Sequence, residues 1–492
     1  LSLIAIGRRR RPALLILSLL AAAAILLAGC APAPPVSDET ETSVGGASTS
    51  QKELPVAAVP TAVATVAPIA ETRQTEVPIA ATATATATAT AEPRPTKRPA
   101  ETSQKKLPEA VLADAMPVVL AIRGLPAVEI EPGLLNREEL AAYLLEVILE
   151  DYPPEEQAMD NIEWSLLGIL APGGDILEIQ LEMLGEDILG FYNQNEKTMF
   201  VIDGGDSGVG MLKFVLTHEY VHALQDDAFD LGAIDEAIGT HNFDASRAFT
   251  ALVEGDASLA GVVAFFEVVT QEELTEFLMA PARPPGSVPS RARTFLEELL
   301  GFSYTAGQVF VERLIQVGGW ERVDAAYTDL PVSTEQILYP DKYLTGELPE
   351  DVEVPDLSES ALLGWREQRR NVMGAFFLDL LFGGFVPGNL ADGWGGDEYV
   401  IYEDGMDNLL ILKMRWDPPA ADLFWDNATI FLQENWLDTF QADPARTLVA
   451  SDLVTWEKDF HAARLFRDGD DIYLVVGTDS AAVERVWDQL TR

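Results

Sequence analysis

Three features of the sequence predict an α+β protein: a mostly helical domain with a small sheet, followed by a smaller α+β unit. Apolar residues recur with helical periodicity over most of residues 107 to 350. Short alternating runs bounded by turn residues occur near residue 200 and again after residue 390. The first 106 residues contain no Phe, Trp or Tyr, so a core can form only in the remainder. That remainder is long enough for one large or two medium domains. The expected division is a leader at 1–29, a spacer at 30–106, a helical domain at 107–350 and a C-terminal unit at 351–492.

The leader has a basic start, Arg8 to Arg11, and an apolar run, Pro12 to Leu27, of the length of a signal-peptide core. It ends in Leu27-Ala28-Gly29-Cys30, which resembles the lipobox of bacterial lipoproteins. That resemblance implies a signal peptide removed before Cys30, and lipid on the cysteine holding the chain to a bacterial membrane. An uncleaved membrane anchor is the alternative, and either places the rest outside the cytoplasm. Cys30 is the single cysteine, so no intramolecular disulfide can form. Residues 31 to 106 are rich in Pro, Ala and Thr, with too little apolar bulk to offset the entropy of ordering. They read as a disordered spacer with a reach on the order of 200 Å if polyproline-like.

Charge excludes one class of partner. With 33 Lys and Arg against 79 Asp and Glu the net charge is −46, which repels nucleic acid and anionic lipid headgroups.

Within the ordered part, helices are expected over Leu107–Ile122, Asn136–Leu149 with Asn136 as its cap, Asp160–Leu170 and Asp175–Leu184. Leu189 to Ile202 reads as a hairpin turning at Asn193 to Lys197, with Met199 to Ile202 as a candidate exposed edge for an extended peptide.

The chemistry concentrates in Leu216 to Asp226, L-T-H-E-Y-V-H-A-L-Q-D. His218 and His222 are four apart, one turn of helix, so both imidazoles can reach one metal ion. Glu219 lies beside them, placed to take a proton from an attacking water. Leu212, Leu216, Tyr220 and Leu224 form a stripe on the opposite side, so one face should pack and the other bind. Two histidines do not complete a catalytic zinc site, which needs a third protein ligand. Glu254 stands inside the apolar helical stretch Phe249 to Phe266, where a carboxylate is costly unless paired or metal-bound.

The His218-Glu219-x-x-His222 motif followed by Glu254 resembles the gluzincin group of zinc metallopeptidases. More closely, H-E-Y-V-H-A-L-Q-D with A-L-V-E-G-D-A is similar to a set of secreted bacterial metallopeptidase-like proteins. Gly190-Phe-Tyr192, Tyr304-Thr-Ala-Gly307, Ser333-Thr-Glu-Gln336 and Gly393-Trp-Gly-Gly-Asp397 extend the likeness. The resemblance implies a zincin-like fold, one zinc ion held by His218, His222 and Glu254, and Glu219 as general base in the hydrolysis of peptide or protein substrates. An oxyanion donor is expected among Tyr304, Tyr192 and His241, in that order. Asp256, about 200° around the helix from Glu254, is expected to support the site from behind or cap structure. Relatives often carry histidines where this chain has Asp227-Ala228 and Leu338-Tyr339-Pro340, which removes any auxiliary role for them here. An inactive lipoprotein using the fold as a binding module is the competing function, and hydrolysis of a non-peptide amide such as a cell-wall bond is a third.

Further on, Phe295 to Tyr327 reads as helix, Pro331 to Pro355 as loop and Ser358 to Phe382 as helix. Trp394–Tyr402, Asn408–Trp416 and Ala463–Val476 read as strands, the last turning at Asp468-Gly469-Asp470. Pro418–Glu434 and Ser480–Leu490 read as helices packed with them. His461 lies in a charged stretch and is expected at the surface.

Overall fold

The computed structural model describes residues 106–492, apart from 172, 203–207, 280–289, 384–390, 419, 432–447, 450–451 and 459–460. The expected leader, Cys30 and the spacer fall outside the described residues.

The first described element is α1 (Lys106–Arg123), which continues through Pro117. Strand β1 (Pro132–Leu135) leads into α2 (Arg137–Asp151). Its start is a reciprocal cap. The Asn136 side chain accepts from the Glu138 and Glu139 amides at 2.9 and 3.0 Å, and the Glu139 carboxylate accepts from the Asn136 amide at 2.8 Å. Helices α3 (Pro154–Leu166) and α4 (Ile176–Asp187) follow, α3 opening earlier than expected because Pro154 suits a first helical turn.

The expected hairpin forms from β2 (Gly190–Asn193) and β3 (Thr198–Ile202), paired antiparallel. The expectation that Met199 to Ile202 are an exposed edge is not met. β1 lies parallel to β3 with Pro132 opposite Met199, so β3 is the central strand in the order β1-β3-β2. The two edges are β1 and β2. This pairing joins segments far apart in sequence, which a local pattern cannot reveal.

Five helices then build the centre: α5 (Val209–Phe229), α6 (Leu231–Ile238), α7 (Phe243–Val268), α8 (Gln271–Met279) and α9 (Arg291–Ala326). Asn242 caps α7 by accepting from the Ala245 amide at 2.9 Å. Every residue of α5 from Phe214 to Asp226 is buried, so this helix is enclosed on all sides instead of packing on one face. α9 kinks at Gly318-Gly319, where Gly319 takes φ 67°, open to glycine at no steric cost. The expected loop after α9 holds two short helices, α10 (Thr334–Leu338) and α11 (Pro340–Thr345).

The C-terminal part is a seven-stranded antiparallel sheet. Its strands are β4 (Arg366–Asn371), β5 (Trp394–Glu403), β6 (Asn408–Trp416), β7 (Leu448–Val449), β8 (Leu453–Lys458), β9 (His461–Asp468) and β10 (Asp471–Gly477). They run in the order β4-β5-β6-β10-β9-β8-β7. Three helices accompany them, α12 (Ala375–Phe382), α13 (Ala420–Phe431) and α14 (Ser480–Leu490). The fold is therefore α+β, as expected. The helix expected over Ser358–Phe382 is corrected: only Ala375–Phe382 is helical and Arg366–Asn371 is a strand. The helix-favouring Arg and Glu side chains of that stretch are overruled by tertiary bonding, because Arg369 is drawn into α3. It bonds Asp160 at 2.6 Å, Glu163 at 2.7 Å and Glu156 at 2.9 Å.

Alternation along the strands splits the sheet into two faces. Tyr399, Ile401, Leu410, Leu412 and Leu474 join one core with α5, α7 and α9. Val400, Tyr402, Leu409, Ile411 and Val475 form another with α14 residues Ala482, Val483 and Val486. Two buried aspartates tie local segments, one in each part. Asp244, at the start of α7, accepts from the Thr334 hydroxyl at 2.5 Å and its amide at 3.1 Å. Asp397 accepts from the Met373 and Gly374 amides, both at 2.8 Å, and from the Trp394 indole at 3.1 Å.

Candidate metal centre

Backbone contact between helices sets the centre. A Cβ on Gly255 would lie 2.1 Å from the Gly307 carbonyl, and one on Gly307 would lie 2.1 Å from the Ala251 carbonyl oxygen. Only glycine lets α7 and α9 touch main chain to main chain here. A Cβ on Gly261 would come within 3.0 Å of His218 Cα, so α5 and α7 are nearly as close. Glu254, Tyr304 and His218 are carried into one small volume by these crossings.

The Nε2 atoms of His218 and His222 are 3.0 Å apart, and each is 3.4 Å from Glu254 Oε2. Ligands bound tetrahedrally at zinc distances of about 2.0–2.1 Å are separated by about 3.3 Å, so this triangle has the size the metal requires. The four side chains are almost wholly enclosed: His218 is 3% exposed, Glu219 1%, His222 0% and Glu254 1%. Both oxygens of Glu219, both of Glu254 and the Tyr304 hydroxyl are buried and lack a hydrogen bond of full geometry, with only looser approaches from the Tyr192 amide to Glu219 and from the imidazoles and Tyr304 to Glu254. Buried polar atoms rarely go unpaired, and five around one point fit a cation with its attendant oxygen ligands. Among the described residues this is the one group of three or more His, Cys, Asp or Glu side chains able to hold a metal ion.

Electrostatics agree. Burial by itself would lower the His222 pKa, but the charge of Glu254, its hydrogen bond and the charge of Glu219 carry it up to about 9. Burial lowers His218. Against its own burial, Glu254 is held down at about 2 by the two histidines. Burial, reinforced by Glu254 and opposed by His222, pushes Glu219 up to about 8. Without metal, His222 thus favours its protonated form beside the ionised Glu254, a position a divalent cation satisfies better.

The structure brings His218, Glu219, His222, Glu254 and Tyr304 together, and separates the other candidates from them. The Tyr304 ring stacks on His218 with centroids 6.0 Å apart, and its hydroxyl is raised well above the usual tyrosine range by burial and by Glu254 and Glu219. The Tyr192 hydroxyl is spent on Asp226 at 2.9 Å, while its backbone amide faces Glu219 from strand β2. His241 is exposed ahead of α7, and His461 is exposed at the start of β9. Asp256 points to the far side of α7, where it binds Arg123 at 2.7 and 3.0 Å and accepts from the Tyr327 hydroxyl at 2.8 Å.

Sequence reasoning passed over Gly255, Gly307 and Gln225. Gln225 lies three residues after His222, the spacing of one helical turn, and that was the available signal.

The fold and site define an α+β protein with a buried His-x-x-x-His and Glu triad suited to one metal ion. Residues 361–487, the C-terminal sheet unit, match the model of a domain of unknown function (DUF8575). No curated protein and no solved structure matches the chain.

Proposed function

We propose that this chain is a zinc-dependent peptidase of the gluzincin type, held outside the cytoplasmic membrane of a bacterium by lipid on Cys30. The observation that carries this reading is the convergence of His218, His222 and Glu254 on one point, with Glu219 beside them. A zinc ion bound there supplies a Lewis acid that activates water and polarises a carbonyl.

The chain's own residues do the rest. Glu219, next to His218 on α5 and buried beside the triad, is the base that takes the proton from the attacking water and hands it to the leaving amine. The Tyr304 hydroxyl, kept neutral by burial beside Glu254, is the donor for the negative charge that develops on the carbonyl oxygen. In the β2 and β3 register the main-chain groups of Gly190 and Tyr192 face away from β3, which turns the Tyr192 amide toward Glu219 and makes buried β2 the strand next to the centre.

The test is zinc content and cleavage of a broad peptide library by the purified full chain, with Glu219→Gln alongside. Bound zinc with cleavage lost in the variant is expected. Zinc bound without cleavage by either protein would leave the reading untenable and favour a binding module. The near-complete enclosure of Glu219 is the one observation on the side of that second reading. Cleavage of cell-wall amides in place of peptides would keep the site and change the substrate.

A further inference from the structure

The geometry points to Gln225 as the positioning residue of this centre, through a single amide that fixes both the tautomer of His222 and the placement of Glu254. The inference rests on the reading of the triad as a zinc site.

Gln225 is wholly buried, on α5 one turn beyond His222. Its Nε2 donates to the Val253 carbonyl oxygen at 3.0 Å, and its Oε1 lies 2.9 Å from His222 Nδ1. The chemistry of these partners settles the direction of each bond. A main-chain carbonyl oxygen can only accept, so the amide nitrogen must face Val253. The amide oxygen then faces His222, and because that oxygen only accepts, Nδ1 must carry the hydrogen. With Nδ1 protonated, the lone pair of neutral His222 is on Nε2, the atom 3.4 Å from Glu254 Oε2.

The same amide crosses from α5 to α7. Val253 directly precedes Glu254, so the bond to its carbonyl ties the turn that carries the third ligand to the helix that carries the first two. Both bonds are shielded from water, where neither amide atom has solvent as an alternative partner. Gln225 therefore links two ligands without touching the metal position.

The test uses the full chain and two substitutions that separate this role from packing. Gln225→Leu removes both bonds at similar volume. Gln225→Glu keeps an acceptor for His222 Nδ1–H and loses the donor to Val253, placing a carboxylate against a carbonyl. Zinc affinity is read by competition with a chromophoric chelator, and melting temperature is read on the metal-free proteins. Zinc affinity is expected to fall by about 10- to 100-fold in Gln225→Leu and by less in Gln225→Glu. Metal-free melting temperature is expected to rank the other way, with Gln225→Glu the lower of the two. A residue that only fills space would give the same ranking in both measurements, and that result would overturn the inference, as would wild-type affinity in Gln225→Leu. Should Gln225→Glu not fold, the visible spectrum of the cobalt(II)-loaded Gln225→Leu protein decides. Altered bands support a displaced His222, and bands identical to wild type overturn it. Failure of the wild-type chain itself to bind zinc is a separate outcome, and it removes the reading of the centre on which the inference stands.

Discussion

Gly255 and Gly307 meet backbone to backbone, and this contact between α7 and α9 holds Tyr304 against the triad. A Cβ on either residue would come 2.1 Å from the other helix's main chain. Gly307→Ala is expected to force the helices apart, at a cost of about 1–3 kcal/mol, and to weaken zinc binding as Glu254 shifts. Gly301 provides the contrast on the same helix, since nothing lies within 4 Å of a Cβ there. Gly301→Ala should stabilise by about 0.5–1 kcal/mol through helix propensity alone. Denaturation midpoints of the two variants check the pair, and equal effects would contradict the close-contact argument.

Zinc should contribute to stability because the folded chain assembles the three ligands and the unfolded chain does not. At a free zinc concentration roughly a thousandfold above the dissociation constant, the gain is about 4 kcal/mol. Chelation is expected to lower the melting temperature and added zinc to restore it. In Glu254→Ala, chelator and zinc should move the melting temperature far less.

Arg123 and Asp256 form a buried ion pair joining α1 to α7, with Tyr327 on the same carboxylate. Arg123→Met leaves Asp256 enclosed without its countercharge and should cost about 3–5 kcal/mol in urea denaturation. The double variant Arg123→Met with Asp256→Leu should recover most of that loss, because the wholly enclosed charge is gone and Asp324, the other partner of Arg123, keeps access to water. A double variant no more stable than Arg123→Met would show that the pair acts by something other than charge.

Stability should also depend on Asp244 in a direction opposite to that of an ordinary ion-paired carboxylate. Burial pushes its pKa up to about 7, against the hydrogen bonds from Thr334 and with the like charge of Asp397 adding to the rise. Burial raises Asp397 to about 6. The folded state therefore holds more protons than the unfolded chain in this range, so these groups favour folding most at low pH. Their contribution is lost as pH rises from about 4 to about 7. Guanidinium midpoints of the metal-free protein across that range should show a smaller decline in Asp244→Asn than in wild type. An unchanged slope would rule out the assignment.

Much of the centre is legible in the sequence. The four-residue spacing of His218 and His222 specifies one helical face by itself, and Glu254 betrays itself as a carboxylate in an apolar helix. The polar strand Arg366–Asn371 was illegible because its conformation depends on Asp160, Glu163 and Glu156, some two hundred residues earlier. The edge of the small sheet was misplaced for a related reason, since β1 pairs with β3 across 67 residues of chain, Pro132 opposite Met199.

By itself the sequence determined the helix carrying His218, Glu219 and His222, the helix carrying Glu254, the hairpin before them and the strands β5, β6, β9 and β10 of the C-terminal unit. Each of these rests on a repeat of two or about 3.6 residues, or on a turn, and such signals are local. Only the tertiary structure decided that Glu254 Oε2 stands 3.4 Å from both histidines, that Asp256 turns away to Arg123, and that β2 forms the edge beside Glu219. Those outcomes depend on how closely whole helices approach, and glycines at 255, 261 and 307 control that approach through the absence of a side chain, which leaves no periodic trace to read.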